Sequence, residues 1–209
     1  MMKKQQAVFL AIVIGIGFPT ACRAAKQRVA IQPLGYVRQE VINCVTAGLA
    51  RVYDVKAQVL PPVDIPRTSY YRPNSRYRAE KLLDYLETDR YSGYDKILGL
   101  TAFDISTSKG RIYDWGIFGL GRLSGRSCIV STFRLTRGAS AEKFFARLVK
   151  VVNHEMGHTF GLPHCPAAGC IMQDAKGTIM TVDKETGAFC EACKNRLRDL
   201  HFYKNDEKP

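Results

Sequence analysis

The chain has 209 residues, 46% of them hydrophobic, which suits one domain with an adequate core; no stretch repeats, which excludes a solenoid or other array. Its formal charge of +12, from 31 basic and 19 acidic residues, favours anionic surfaces or acidic substrates, but the charges are scattered, so no nucleic-acid partner is expected. The long apolar run at the N-terminus is too short to cross a bilayer comfortably, and no other stretch is a candidate span.

Residues 1–24 read as an export signal: Lys3 and Lys4, an apolar run from Ala7 to Phe18, then small residues at Ala21, Ala24 and Ala25. Cleavage there leaves 28 basic against 19 acidic residues, a charge of +9, on an exported chain, periplasmic or secreted. Membrane attachment would require a lipid on Cys22, which Pro19-Thr20-Ala21 precedes as a poor acylation signal.

Arg28 to Val37 is expected as a first strand despite Pro33. Val41, Val45, Leu49 and Val52 then give the spacing of one buried helical face over Gln39 to Tyr53. A second strand from Ala57 to Leu60 stops at Pro61-Pro62. Residues 61–78, rich in Pro, Tyr and Arg, read as a surface loop. A short helix, Ala79 to Leu86, leads to a third strand, Lys96 to Thr101, so the chain opens as a βαβ-like unit in a mixed sheet. Ile117 to Leu123 and Cys128 to Leu135 form a hairpin about Ser124-Gly125-Arg126. Ser140 caps the next helix, whose Phe144, Phe145, Leu148, Val149, Val151 and Val152 make it apolar nearly all round and therefore central. Few periodic residues follow Met172 until a last helix, from Cys190 to about Tyr203, which Leu197 and Leu200 help to anchor. His201 is expected on its surface.

The most informative stretch spans residues 154–193. His154 and His158 are four apart, so on a helix they share a face, with Cβ atoms about 5–6 Å apart, and can grip one cation. Glu155 points beside that face. Gly161 accepts the left-handed conformation that closes a helix and Pro163 cannot continue it, so the chain turns back and delivers His164. Three protein ligands and an open position make a catalytic zinc site. A bare HExxH arises by chance, but Gly161 and His164, each roughly twentyfold rarer at its offset, extend it to HExxHxxGxxH.

Cys165, Cys170, Cys190 and Cys193 can hold a second, closed tetrahedral zinc. In an exported chain the competing reading is two disulfides, Cys165–Cys170 and Cys190–Cys193. Cys44, on the first helix's apolar stripe, and Cys128, in a strand, read as buried free thiols.

The whole string, HExxHxxGxxHC, four residues, CxM, seventeen residues, CxxC, resembles the archaemetzincins, a metzincin branch of zinc peptidases. The resemblance covers the chain from about Arg28. It implies an α+β fold, a metzincin-like zincin with a mixed twisted sheet, a central active-site helix and a small C-terminal subdomain with a four-cysteine zinc site. The single catalytic domain would span 28–205, divided into 28–163 and 164–205. By the same resemblance His154, His158 and His164 hold a catalytic zinc, Glu155 is the general base, the four cysteines hold a structural zinc, and Met172 forms a turn beneath the first. A rim strand, Ile117 to Leu120, would pair with extended substrate, its flanking glycines Gly116, Gly119 and Gly121 admitting another backbone.

The expected chemistry is hydrolysis of a peptide or protein substrate by a monomer. Zinc lowers the pKa of its water from 15.7 to about 7 and polarises the scissile carbonyl, while Glu155 carries the proton. The rival readings are an amidase acting on a non-peptide amide and a zinc-binding module without catalysis.

Overall fold

The computed structural model describes residues 26–204; the expected signal segment, Cys22 and residues 205–209 lie outside the described residues. The first half comprises β1 (Gln27–Leu34), α1 (Gln39–Val52), β2 (Val55–Val59), β3 (Tyr70–Tyr71), β4 (Arg76–Arg78), α2 (Ala79–Leu86) and β5 (Lys96–Thr101). The second comprises β6 (Ile105–Lys109), β7 (Ile112–Ile117), β8 (Gly119–Gly121), β9 (Ser127–Ser131), α3 (Ala141–Thr159), α4 (Ile179–Lys184) and α5 (Glu191–Asp199).

The main sheet has the order β2-β1-β5-β9-β8; four strands are parallel, and β8 joins β9 antiparallel at the edge. The inner parallel strands β1, β5 and β9 are covered on both faces and so are largely buried along their length, whereas β2, at the edge with Lys56 and Gln58, is mostly exposed. Val29, Ile31, Leu98, Leu100 and Val130 pack with α1 and α3, whereas Ala30, Ile97 and Ile129 belong to clusters formed with α2. Gly99 is required on the α2 side, because a Cβ there would come within 2.7 Å of both Ile129 and Leu86. Val41, Val45 and Leu49 of α1 are at most 2% exposed, as their spacing predicts. Tyr53, just beyond α1, donates its hydroxyl to the Asn153 carbonyl at 2.6 Å and sets its ring 5.0 Å from Phe160, tying α1 to α3.

β1 stops at Leu34 and not at Val37, β2 starts two residues earlier than expected, and three larger departures follow. Residues 61–78 are not a simple surface loop: β3 and β4 open a second sheet of order β3-β4-β6-β7. Arg78 is buried there because it is satisfied, by Ser108 Oγ at 2.8 Å, Glu80 at 3.1 Å and the Tyr113 carbonyl, with its guanidinium 4.1 Å from the Tyr113 ring. Ser108 and Tyr113 lie far off in sequence, so local composition reads as loop. Secondly, the expected strand from Ile117 divides. Ile117 ends β7 and Gly119–Gly121 pairs with β9 as β8, so the expected rim segment, all of which lines the cavity, runs across two strands of different sheets. The hairpin arm that follows stops at Ser131, where a 3-10 turn, Phe133–Thr136, replaces the strand to Leu135. Thirdly, α5 ends before Tyr203. His201, at φ +60, donates its N–H to the Arg198 carbonyl while Phe202 N–H reaches Leu197, a helix-closing turn without the usual glycine. His201 is exposed and Leu200 is 43% exposed, so Leu197 alone of the expected pair is core.

Ser140 caps α3, its Oγ accepting from the Lys143 N–H at 3.3 Å, with Glu142 in the first turn. Leu148, Val152 and Met156 are fully buried, but the helix is not apolar all round. Arg147, 3% exposed, grips Asp183 of α4 with Nε at 2.7 Å and Nη2 at 2.8 Å, and donates Nη1 to the carbonyls of Leu135 and Arg137. Arg147→Met should destabilise the protein by about 1–3 kcal/mol in urea unfolding, since it strips the Leu135 and Arg137 carbonyls of their donor while Asp183 keeps Lys143 Nζ at 3.0 Å. The Arg147 hydrogen bonds hold the Asp183 carboxyl far below its ordinary value of about 3.9. That stabilisation is therefore complete above about pH 4 and lost as pH falls, and the variant should lose less stability on acidification. Equal midpoints for the two proteins would show the pair to be dispensable.

Candidate metal centre

The turn after α3 aims the third imidazole. Gly161, at φ +87, donates its N–H to the His158 carbonyl at 2.9 Å, and Leu162 N–H reaches the Gly157 carbonyl at 3.0 Å. These paired bonds close a helix about a left-handed residue. The chain then reverses through Pro163, and the His164 ring lies 4.9 Å from that of His158 and 5.4 Å from that of His154, centroid to centroid. One ligand atom from each histidine lies within 4.8 Å of the others.

The inner two rings are oriented for a cation. His154 Nδ1 bonds the Ile171 carbonyl at 2.6 Å and His158 Nδ1 bonds the Leu162 carbonyl at 2.8 Å. A carbonyl only accepts, so both rings carry N–H at Nδ1 and turn free Nε2 lone pairs on one another at 3.1 Å. Zinc–nitrogen bonds of tetrahedral geometry place such atoms roughly 3.3 Å apart. Burial, then the neighbouring His158, pushes His154 down to about 4, and burial likewise lowers His158. Both are therefore neutral donors at physiological pH, the form a metal takes.

Glu155 is 8% exposed, packed beneath β8, and burial pushes its carboxyl up to about 8 against the opposing pull of the Gly121 amide. The glycines of β8 make this approach possible. A Cβ on Gly121 would lie 2.5 Å from the Glu155 carbonyl oxygen, and one on Gly119 would lie 2.6 Å from Glu155 Cγ. Both admit α3. Their spacing alone could not say whether they served a helix, a bulge or a substrate. Gly119→Ala should move the Glu155 carboxylate while sparing the imidazoles, so activity should fall by about 10²-fold with metal content retained. Metal analysis beside turnover checks this, and full activity would show that Glu155 has room to adapt.

Met172 lies under the same helix, fully buried, where a Cβ on Gly157 would come within 2.6 Å of its Sδ. Its carbonyl accepts from Cys165 N–H at 2.8 Å, joining this turn to the cysteines. Cys165 Sγ is 3.7 Å from Cys190 Sγ, and Cys170 Sγ is 3.8 Å from Cys193 Sγ. All four are free thiols, so neither Cys165–Cys170 nor Cys190–Cys193 is a disulfide here. Sulfurs at the corners of a zinc tetrahedron sit roughly 3.8 Å apart. Cys190 caps α5, and hydrogen bonding from the Cys193 amide brings its thiol down to about 7. Cys44 and Cys128 are also free, half-buried and buried respectively.

A cavity of about 500 Å³ opens over the imidazoles, bounded by β8 on one side and by Val151, Val182 and Glu185 on another. β8 is an edge strand and can pair with an extended chain. Nothing local in the sequence marked α4 or Glu185, because a six-residue helix shows too little periodicity to register.

Three imidazoles converging on one point, a carboxylate beside them and a cleft under an edge strand define the class, a zinc metallopeptidase of metzincin type. Residues 36–199 match peptidase family M54. The archaemetzincin of Halobacterium salinarum is 34% identical over 178 residues, which take in 81% of this chain and 99% of that protein. Among solved structures, archaemetzincin from Methanopyrus kandleri is similar with a TM-score of 0.72 at 29% identity, covering 86% of this chain and 98% of that one. The Archaeoglobus fulgidus archaemetzincin complexed with malonate has a TM-score of 0.70 at 30% identity, covering 81% and 99%. The chain belongs to peptidase family M54, the archaemetzincins.

Proposed function

We propose that this metallopeptidase cleaves peptide bonds at a zinc held by His154, His158 and His164, with Glu155 as general base. A second, structural zinc sits among Cys165, Cys170, Cys190 and Cys193, and Met172 forms the turn beneath the first site. The observation that carries the reading is the joint orientation of the two inner rings, whose Nδ1 bonds to Ile171 and Leu162 leave both Nε2 atoms for one cation.

Bound zinc supplies Lewis acidity at the open side of the imidazoles. The chain's own groups do the rest. β8 offers its free edge to align an extended substrate over the cleft. Glu155, shielded from bulk water, takes the proton of the attacking water and returns it to the amine nitrogen of the broken bond. A dication nearby favours the ionised carboxylate and so offsets the desolvation that raises its pKa in the metal-free protein. Mass-spectrometric mapping of cleavages in a denatured proteome, with Glu155→Ala as control, tests the proposal. Identical cut sites in both samples would defeat it.

The apolar run behind Lys3 and Lys4 supports export, with maturation between Ala21 and Lys26. Intact mass of the exported protein checks it: a full-length N-terminus refutes cleavage, and a diacylglyceryl group on Cys22 would place the protein on a membrane.

A further inference from the structure

We propose that Glu185 is a specificity-determining residue, which selects substrates bearing a lysine or arginine side chain next to the scissile bond. The inference rests on the proposed peptidase reading of the imidazole site.

Glu185 follows α4 and is 6% exposed, yet it lines the same cavity as His154 and Glu155. A carboxylate so placed ordinarily has a partner, because an unpaired buried charge is costly. The nearest cation is otherwise engaged. Lys150 Nζ points at the carbonyls of Val182, Asp183 and Glu185 at 2.9, 3.5 and 2.5 Å, so its three protons are directed to the end of α4. Among the described residues no hydrogen bond or ion pair reaches the Glu185 carboxylate, and burial pushes its carboxyl up to about 7, with Lys150 only partly opposing. Lys109, another cation of the cavity, lies instead over the Trp115 ring at 4.9 Å.

The walls suit a particular occupant. Val151, one turn before Glu155 on α3, and Val182 of α4 are both buried and both line the cavity. A lysine or arginine can lay its methylenes along the valines and carry its charge to Glu185. An acidic substrate side chain would meet an uncompensated carboxylate, and a short neutral one would leave that group unpaired, so discrimination comes from both sides.

The test uses peptides that differ by lysine or norleucine at one position, walked along the sequence around a cleaved bond. For zinc-loaded wild-type protein, kcat/KM should favour lysine by about 10- to 100-fold at a position adjacent to that bond. Glu185→Gln should bring the ratio close to unity. The affinity ratio of the same peptides, by fluorescence anisotropy on zinc-loaded Glu155→Gln protein, should show the same preference. A wild-type ratio near one, or a preference that persists in Glu185→Gln, overturns the proposal. If no peptide is cleaved, the peptidase reading fails, and the affinity ratio still decides the pocket.

Discussion

Replacing Glu155 by alanine should lower peptide hydrolysis by about 10²–10⁴-fold while zinc content stays at the wild-type level. The two effects separate because Glu155 points beside the converging imidazoles, whose rings are held by the Ile171 and Leu162 carbonyls and not by this carboxylate. Stability should not suffer. Burial raises the carboxyl to about 8, so in the metal-free protein its ionisation opposes folding increasingly as pH rises from about 4.5 toward 8. Removing the group removes that penalty, the pattern of a residue retained for chemistry at some expense to the fold. Turnover equal to wild type would reject Glu155 as the proton carrier. Loss of zinc together with activity would assign it to holding the metal.

Much of this architecture was readable because the informative residues are close together in the chain. His154, His158, Gly161 and His164 fit within three turns, where helix geometry and one left-handed glycine fix their relations. The stripe of α1 and the continuously apolar runs of β1 and β5 likewise followed from local periodicity. What escaped was set by distant partners. Arg78 looks like a loop residue until Ser108 and Tyr113 are brought to it, and Arg147 breaks an apolar helix face that Asp183 and the carbonyls of Leu135 and Arg137 make tolerable. The β6–β7 hairpin was missed for another reason: much of it is exposed, so it needs few apolar residues and shows little alternation. Ile117 carried an apolar run across the change of sheet at Phe118, and a pattern of hydrophobicity does not record which sheet a strand joins. Gly119 and Gly121 stand out in the sequence, but what approaches them, the backbone and side chain of Glu155, required the packed structure.

Chelation and cysteine replacement should distinguish two metal sites with different duties. Two of the three imidazoles stand on a helix already fixed by Leu148, Val152 and Met156, and the third follows its closing turn, so stripping that site should abolish activity with little unfolding. The cysteine quartet ties α5, which the core scarcely reaches, to the well-buried turn at Ile171 and Met172. α5 contributes only Leu197 and Cys193 as its buried residues and leaves Leu200 outside, whereas Ile171, Met172, Val182 and Phe189 seat the preceding segment in the core, so it is α5 that depends on the sulfurs. Structural zinc contributes folding free energy directly, about 10–16 kcal/mol in small zinc domains. Cys190→Ser with Cys193→Ser should therefore release α5, seen as faster amide exchange from Cys190 to Leu200. The damage should travel. Ile171, whose carbonyl orients His154, lies between Cys170 and Met172, and the Met172 carbonyl is tied to Cys165 N–H, so metal affinity at the imidazoles should fall by about 10–100-fold. Metal analysis with thiol titration completes the experiment: two zincs per chain and four thiols released by chelation are expected. One zinc with none of these thiols titratable would mean disulfides, and unchanged exchange in the double variant would deny the quartet its structural role.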